Sequence, residues 1–236
     1  MSPRTLAHRR PAVHPERKYL TADGSPATPD VPEDAEDTSP SRMFALARRE
    51  QILDAAAAAF AEHGYHGVSV RTLASTIGIS HPGLLHHFPT KTSILSAVID
   101  RLEDRAQSAL DEDLDAMPGR DETIRGIVDF YDPGSHLIQL LATLDSEGVS
   151  SEYPERMRSA RLRRVHEHII ERRLAQLAED GGVRPRHSPA FAARAFLSLV
   201  MGYATRERTV RTMQDDVHGD APRAELRRAL ELFLRE

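Results

Sequence analysis

The stretch from Ser69 to Pro89, "SVRTLASTIGISHPGLLHHFP", is punctuated so closely that it leaves the backbone few options. Ser69 is a good N-cap, and Val70, Leu73, Ala74 and Ile77 follow at the i, i+3, i+4, i+7 spacing of one helical face. Gly78 stops that helix, because a residue without Cβ accepts the left-handed conformation that helix ends require. Ser80 caps another helix, Pro82 is tolerated in its first turn, and Pro89 ends it at about Phe88. Two short helices joined by a tight glycine-containing turn describe a helix-turn-helix over about residues 69–88. Leu84 and Phe88 are expected to close a small core beneath it, with Ile79 plugging the turn. A second helix of about eight residues is roughly 12 Å long, which matches the ~12 Å width of the major groove of B-DNA.

Helical periodicity continues almost everywhere from Ser41 onward, and no convincing strand or internal repeat is present. Ile52, Ala56, Ala59 and Phe60 mark one face of a first helix that Gly64 should stop. Thr90 should cap a helix carrying Ile94, Leu95, Val98, Ile99 and Leu102 inward. Further helices are expected over 122–130, 135–146, 154–179 (stopped by Gly181 and Gly182), from Ser188 to about Arg211, and from an Asp220 cap to the end. The fold class is therefore all-α. The arginines Arg156, Arg158, Arg161, Arg163 and Arg164 read as a solvated helix face.

Residues 1–40 are rich in Pro, Ser, Thr and acidic residues, have a basic start, and lack apolar periodicity, the signature of a disordered extension. Arg4, Arg9 and Arg10 in it suit either a passive tail or an arm reaching a DNA groove. Net charge is −5 overall, but it is unevenly spread. Residues 41–91 hold five Lys+Arg against three Asp+Glu, whereas 92–236 hold 21 against 26, so only the helix-turn-helix block is net basic. There is no cysteine, which excludes disulfides and thiolate metal sites. The longest charge-free apolar run, Ala195–Thr205, is too short to span a bilayer, and no secretory signal is evident. A soluble, cytoplasmic protein without membrane contact is expected.

The three histidines His81, His86 and His87 invite a metal reading, but on one short helix they do not converge, and no HExxH pattern accompanies them. No metal site and no cofactor is expected. Catalysis is not expected either: no Ser-His-Asp or paired-carboxylate spacing can be assembled. The bottom-up reading of the recognition-helix start is contact with DNA. His81 donates or accepts at a base edge, and Pro82 and Gly83 add little bulk. Lys91 is a mobile point charge suited to phosphate. The ring of His87 has an alternative role, packing beneath the following helix.

The region Arg48–Val98 resembles the DNA-binding part of the TetR family of bacterial transcriptional regulators. The resemblance rests on ILDAA, FxxHGY, SVRxLA, GIS, LxxHF and a Lys three residues after the Phe, without gaps; the "SHPGLLHHFPTK" form is similar to a common actinobacterial variant. It implies an N-terminal three-helix helix-turn-helix DNA-binding domain at 41–91, joined by a linking helix to a helical ligand-binding and dimerisation domain at 92–236. It implies base-proximal roles for Ser80, His81, Pro82 and Gly83, and phosphate-side roles for Ser69, Arg71, His86, His87 and Lys91. One departure is Leu85, where many members carry a backbone-contacting Tyr that Leu cannot replace as a donor.

The resemblance also implies a repressor that leaves a near-palindromic, double-stranded operator when a small-molecule effector binds. An activator, or a helical module that no longer engages DNA, are the alternatives. Helix 189–205 carries a single charge, Arg194, and is apolar nearly all round, so it needs cover on more than one side. The resemblance supplies a homodimer through the last two helices. No effector residue carries over from the family; His136, Gln139, Thr143, His166 and Tyr203 are the polar residues placed to face an internal cavity.

Overall fold

The computed structural model describes residues 40–111, 119–179, 187–210 and 221–234. Among them are nine helices and no strand: α1 (Pro40–Gly67), α2 (Val70–Ile77), α3 (His81–His87), α4 (Lys91–Asp111), α5 (Arg120–Phe130), α6 (His136–Glu147), α7 (Arg156–Glu179), α8 (Pro189–Arg208) and α9 (Ala221–Leu234). The expected extension up to residue 39, the Gly181–Gly182 stop and the Asp220 cap lie outside the described residues. From Met43 onward the chain packs as one compact unit.

Local chemistry sets most helix ends. Ser69, Ser80, Ser135 and Ser188 each accept the backbone N–H three residues on. Thr90 and Ser93 cap reciprocally, each side chain taking the other's backbone N–H, at 3.0 and 3.1 Å. Between α2 and α3, Gly78 is left-handed at φ 71°, ψ 33°. Its N–H reaches Ser75 O, and the Ile79 N–H reaches Ala74 O at 3.0 Å, a Schellman closure of the turn.

Gly64 does not end α1 but kinks it, at φ 71°, ψ 168°. The helix resumes to Gly67, and the break turns Tyr65 into the core beside Phe60 and Tyr153. The kink persists because other helices hold it, as described below.

The core is continuous from the helix-turn-helix into the rest of the bundle. Ile52, Phe60, Leu73, Leu84 and Phe88 seal the first three helices, and Ile94, Leu95 and Ile99 of α4 are equally buried. Beyond α4, helix α8 is central: it packs against α6, α7 and α9, while α4 and α5 flank α7. Its face of Ala193, Phe196, Leu197, Val200 and Ala204 is buried, whereas Phe191 and Leu199 remain 47% and 39% exposed. On α9, Leu226, Leu230 and Leu234 point inward, and Leu232 is exposed.

The α7 arginines divide: Arg156, Arg161 and Arg164 are exposed, as a solvated face would have them, whereas Arg158 and Arg163 are half-buried against neighbouring helices. Arg158 takes Asp100 and Glu103 of α4 at 2.6 Å each, and Arg161 also reaches Glu103. Arg163 binds Asp145 of α6 at 2.5 Å and Ser198 of α8 at 3.1 Å. Helical spacing turns these residues toward three neighbouring helices, something a run of arginines in one segment does not disclose. The Arg158 hydrogen bond holds the Glu103 carboxyl below its ordinary range, and the guanidinium is raised in turn. Arg161 and Asp100 are largely exposed, so water screens much of this network.

Candidate nucleic-acid interface

Helix α3 is held from behind and free in front. Leu84 and Phe88 are buried on its inner side, and Arg49 of α1 stacks on the Phe88 ring at 4.2 Å. Pro82 and His86, four residues apart and so on one face, are exposed. His81 and Leu85 form a flanking half-buried edge, and Leu85 brings no hydrogen-bond donor to that edge. An added Cβ at Gly83 would approach Ser80 Oγ at 3.0 Å, the same oxygen that accepts the Gly83 N–H at 3.1 Å.

The other sequence-predicted contacts fall around this helix. Ser69 is exposed, and its Oγ caps α2 through Thr72 N–H at 3.0 Å. Arg71 is exposed and has no acidic partner among the described residues, which leaves its guanidinium available to an external anion. The half-buried His87 ring meets the His86 ring edge-on at 5.7 Å. Lys91 differs from the rest: its Nζ sits over the Tyr65 ring at 4.3 Å. Burial lowers its pKa, partly offset by the charge of Glu147. This lysine thus belongs to the hinge between α1 and α4 as well as to the outer surface.

Three contacts fasten the end of α1 to the distant helices. Glu147 Oε2 at the end of α6 accepts the Tyr65 N–H at 2.9 Å, the donor freed by the kink. The Thr143 hydroxyl of α6 lies within hydrogen-bond reach of Ala61 O, at 3.2 Å. Arg208 of α8 donates to Glu62 O and, at 2.9 Å, to Thr143 Oγ1. Gly64 suits the centre because its φ is 71°; a Cβ there would also lie 2.6 Å from Glu147 Oε1, the movable end of that side chain. Sequence reasoning did not find Arg49, Glu147 or Arg208, and no local signal marks them: Tyr65 and Glu147 are 82 positions apart, and Glu62 and Arg208 are 146 apart.

The five candidate effector residues do not share one cavity. His136 lines a hollow between α1, α4 and α6. Gln139 and Thr143 line another beside Arg208. His166 is buried against Phe130 and Tyr131, its Nδ1 3.0 Å from Tyr131 Oη, and burial pushes its pKa down to about 4. The Tyr203 hydroxyl donates to Glu225 of α9, which raises its pKa. Among the described residues, no helix is long and apolar enough to cross a membrane.

The family model of the tetR family of bacterial regulatory proteins matches residues 52–98, the segment that carries α1 beyond its first turns, the helix-turn-helix and the start of α4. The chain is 25% identical over 154 residues to the HTH-type transcriptional regulator UidR of Escherichia coli K12, covering 65% of this chain and 78% of that protein. It is 44% identical over 62 residues to the HTH-type transcriptional repressor AcnR of Corynebacterium diphtheriae, covering 26% and 32%. The fold also superposes on the crystal structure of a TetR-family regulator from Agrobacterium tumefaciens with a TM-score of 0.67 at 20% identity, covering 80% and 99%. With its recognition helix exposed on a buried Leu84–Phe88 base, residues 52–98 form a DNA-binding region of the TetR type, and the chain is a DNA-binding transcriptional regulator.

Proposed function

We propose that the protein is a homodimeric, cytoplasmic repressor that occupies a near-palindromic operator and is released by a small-molecule effector. The observation that carries this is the exposed Pro82–His86 face of α3, flanked by the unpaired Arg71, on a rigidly backed helix-turn-helix. In this reading 41–91 is the DNA-binding domain and 92–236 the effector-binding and dimerisation domain. Ser80, His81, Pro82 and Gly83 meet base edges; Ser69, Arg71, His86, His87 and Lys91 meet phosphates. A single short recognition helix reads few base pairs, and two-fold symmetry doubles the site and makes it near-palindromic. The exposed apolar side chains Phe191, Leu199 and Leu232 on α8 and α9 support a partner over those helices. The clasp that joins Glu147, Thr143 and Arg208 to α1 supports a mechanical route from the distal helices to the recognition helix.

The test is a gel shift of the DNA upstream of the protein's own gene, run at low salt and then against unrelated DNA of equal length. A discrete, sequence-dependent shift is expected, with transcription from that promoter falling as protein is added. No shift at low salt, or equal shifts on both DNAs, would count against it.

A further inference from the structure

A cavity of about 280 Å³ lies between α1, α4 and α6. None of its lining comes from α5, α7, α8 or α9. Its walls are apolar: Ala57 and Ala58 of α1, Val98 and Leu102 of α4, Leu137 and Leu140 of α6. Four polar residues complete it. Arg101 pairs with Asp54 at 2.8 Å and with Glu50, just outside the hollow, at 3.7 Å. Arg105 and His136 stand exposed on its rim and have no hydrogen-bond or ionic partner among the described residues. An open apolar groove whose exposed rim carries an unpaired guanidinium and an imidazole is complementary to a molecule with an apolar body and an anionic head. The volume lies just below the ~300 Å³ lower bound for drug-sized ligands, which selects a small molecule.

We propose that this junction is a binding site for a small amphipathic carboxylic acid. Its carboxylate pairs with the Arg105 fork and accepts from His136, and its apolar body fills the space between Ala57–Ala58 and Leu137–Leu140. A planar guanidinium suits a carboxylate, because two N–H donors match its two oxygens. An occupant in this position touches the helix that carries the helix-turn-helix core and the helix whose end grips Tyr65. A consequence for operator affinity follows only if the proposed repressor reading holds; the binding itself does not depend on it.

The test is calorimetric titration of the full chain with sodium octanoate, octan-1-ol and octylamine as probes of one length and three head groups. Octanoate is expected to bind, and the alcohol and amine to bind about tenfold more weakly or worse, as loss of a charge-assisted hydrogen bond entails. Arg105→Gln should bring octanoate level with octan-1-ol. Ala58→Trp, at an exposed position on the rim, should fill the cavity and abolish the heat. Far-UV circular dichroism establishes that both variants are folded. Absence of octanoate binding up to millimolar concentration, unchanged affinity in both folded variants, or equal binding of octan-1-ol would each overturn the proposal. A gel shift on the same preparations without octanoate reports separately on DNA binding. Its failure would count against the repressor reading and leave the calorimetry intact.

Discussion

The carboxylate of Glu147 accepts the backbone N–H of Tyr65 at 2.9 Å, joining the end of α6 to the kink of α1. That N–H lost its helical acceptor when Gly64 turned left-handed, so Glu147 satisfies a donor that would otherwise be stranded in a half-buried site. Replacing it by alanine should cost about 1–3 kcal/mol in urea unfolding. Glu147→Gln keeps an acceptor oxygen and should cost less. Equal stability of all three proteins would show that the contact is not formed in solution.

Gly64 is strained for any other residue on two counts, its φ of 71° and the 2.6 Å approach of Glu147 Oε1 to a new Cβ. That backbone, with positive φ and extended ψ, alone costs an alanine roughly 1–3 kcal/mol. The clash adds to this only while Glu147 is present. Gly64→Ala should therefore be more damaging in the wild-type background than beside Glu147→Ala. A double-mutant cycle from unfolding curves measures that coupling, and strict additivity would remove the clash from the account.

The helix-turn-helix was legible because its signals are local. Ser69, Gly78, Ser80, Thr90 and Pro89 act within four residues of themselves, and each stands where its chemistry placed it. Gly64 was read as a stop and proved to be a kink, since the helix beyond it depends on Glu147, far away in sequence. Arg158 and Arg163 of α7 depart from a solvated face for the same reason: periodicity tells which residues share a face, not which helix lies opposite. A polar residue in an apolar helical segment reads as a candidate to face a cavity. That rule cannot separate Thr143 and Tyr203, which bond to neighbouring helices, from His136, which lines a hollow.

His166 gives a pH signature. Its ordinary pKa of 6.5 falls to about 4 when burial penalises the imidazolium. Between these values the unfolded chain binds a proton that the folded chain refuses, so stability is complete above about pH 6.5 and declines as pH falls toward 4. A shift of this size is worth roughly 3 kcal/mol. His166→Phe leaves Tyr131 Oη its second acceptor, the residue-166 carbonyl at 3.3 Å, and should flatten the profile. Thermal unfolding at stepped pH compares the two proteins; parallel profiles would mean that His166 is solvated or already charged.

The exposed α8 face tests the dimer. Phe191 and Leu199 are eight residues apart, about two turns, and so lie on one side of the helix. A charge there is harmless in a monomer and costly against a second apolar surface. Leu199→Arg should shift sedimentation from dimer to monomer and weaken operator binding, while circular dichroism stays unchanged. A variant that sediments as the wild type does would place the interface elsewhere.

Arg71 and Lys91 should separate, although both read as phosphate contacts. Arg71 is exposed and unpaired, so truncating it should leave stability unchanged. It should lower the slope of log K against log salt by about 0.9 per contact, hence about two for a dimer, on operator and unrelated DNA alike. Lys91 spends part of its charge on the Tyr65 face and near Glu147. Lys91→Ala should therefore cost measurable stability and change the salt slope by less than Arg71→Ala does. His81→Ala should leave the slope alone and alter the preference among operator base substitutions. The decisive comparison is a set of salt titrations on the three variants. A slope unchanged in Arg71→Ala would take that guanidinium off the DNA, and a slope loss in Lys91→Ala equal to that of Arg71→Ala would mean that Lys91 leaves Tyr65 when DNA binds.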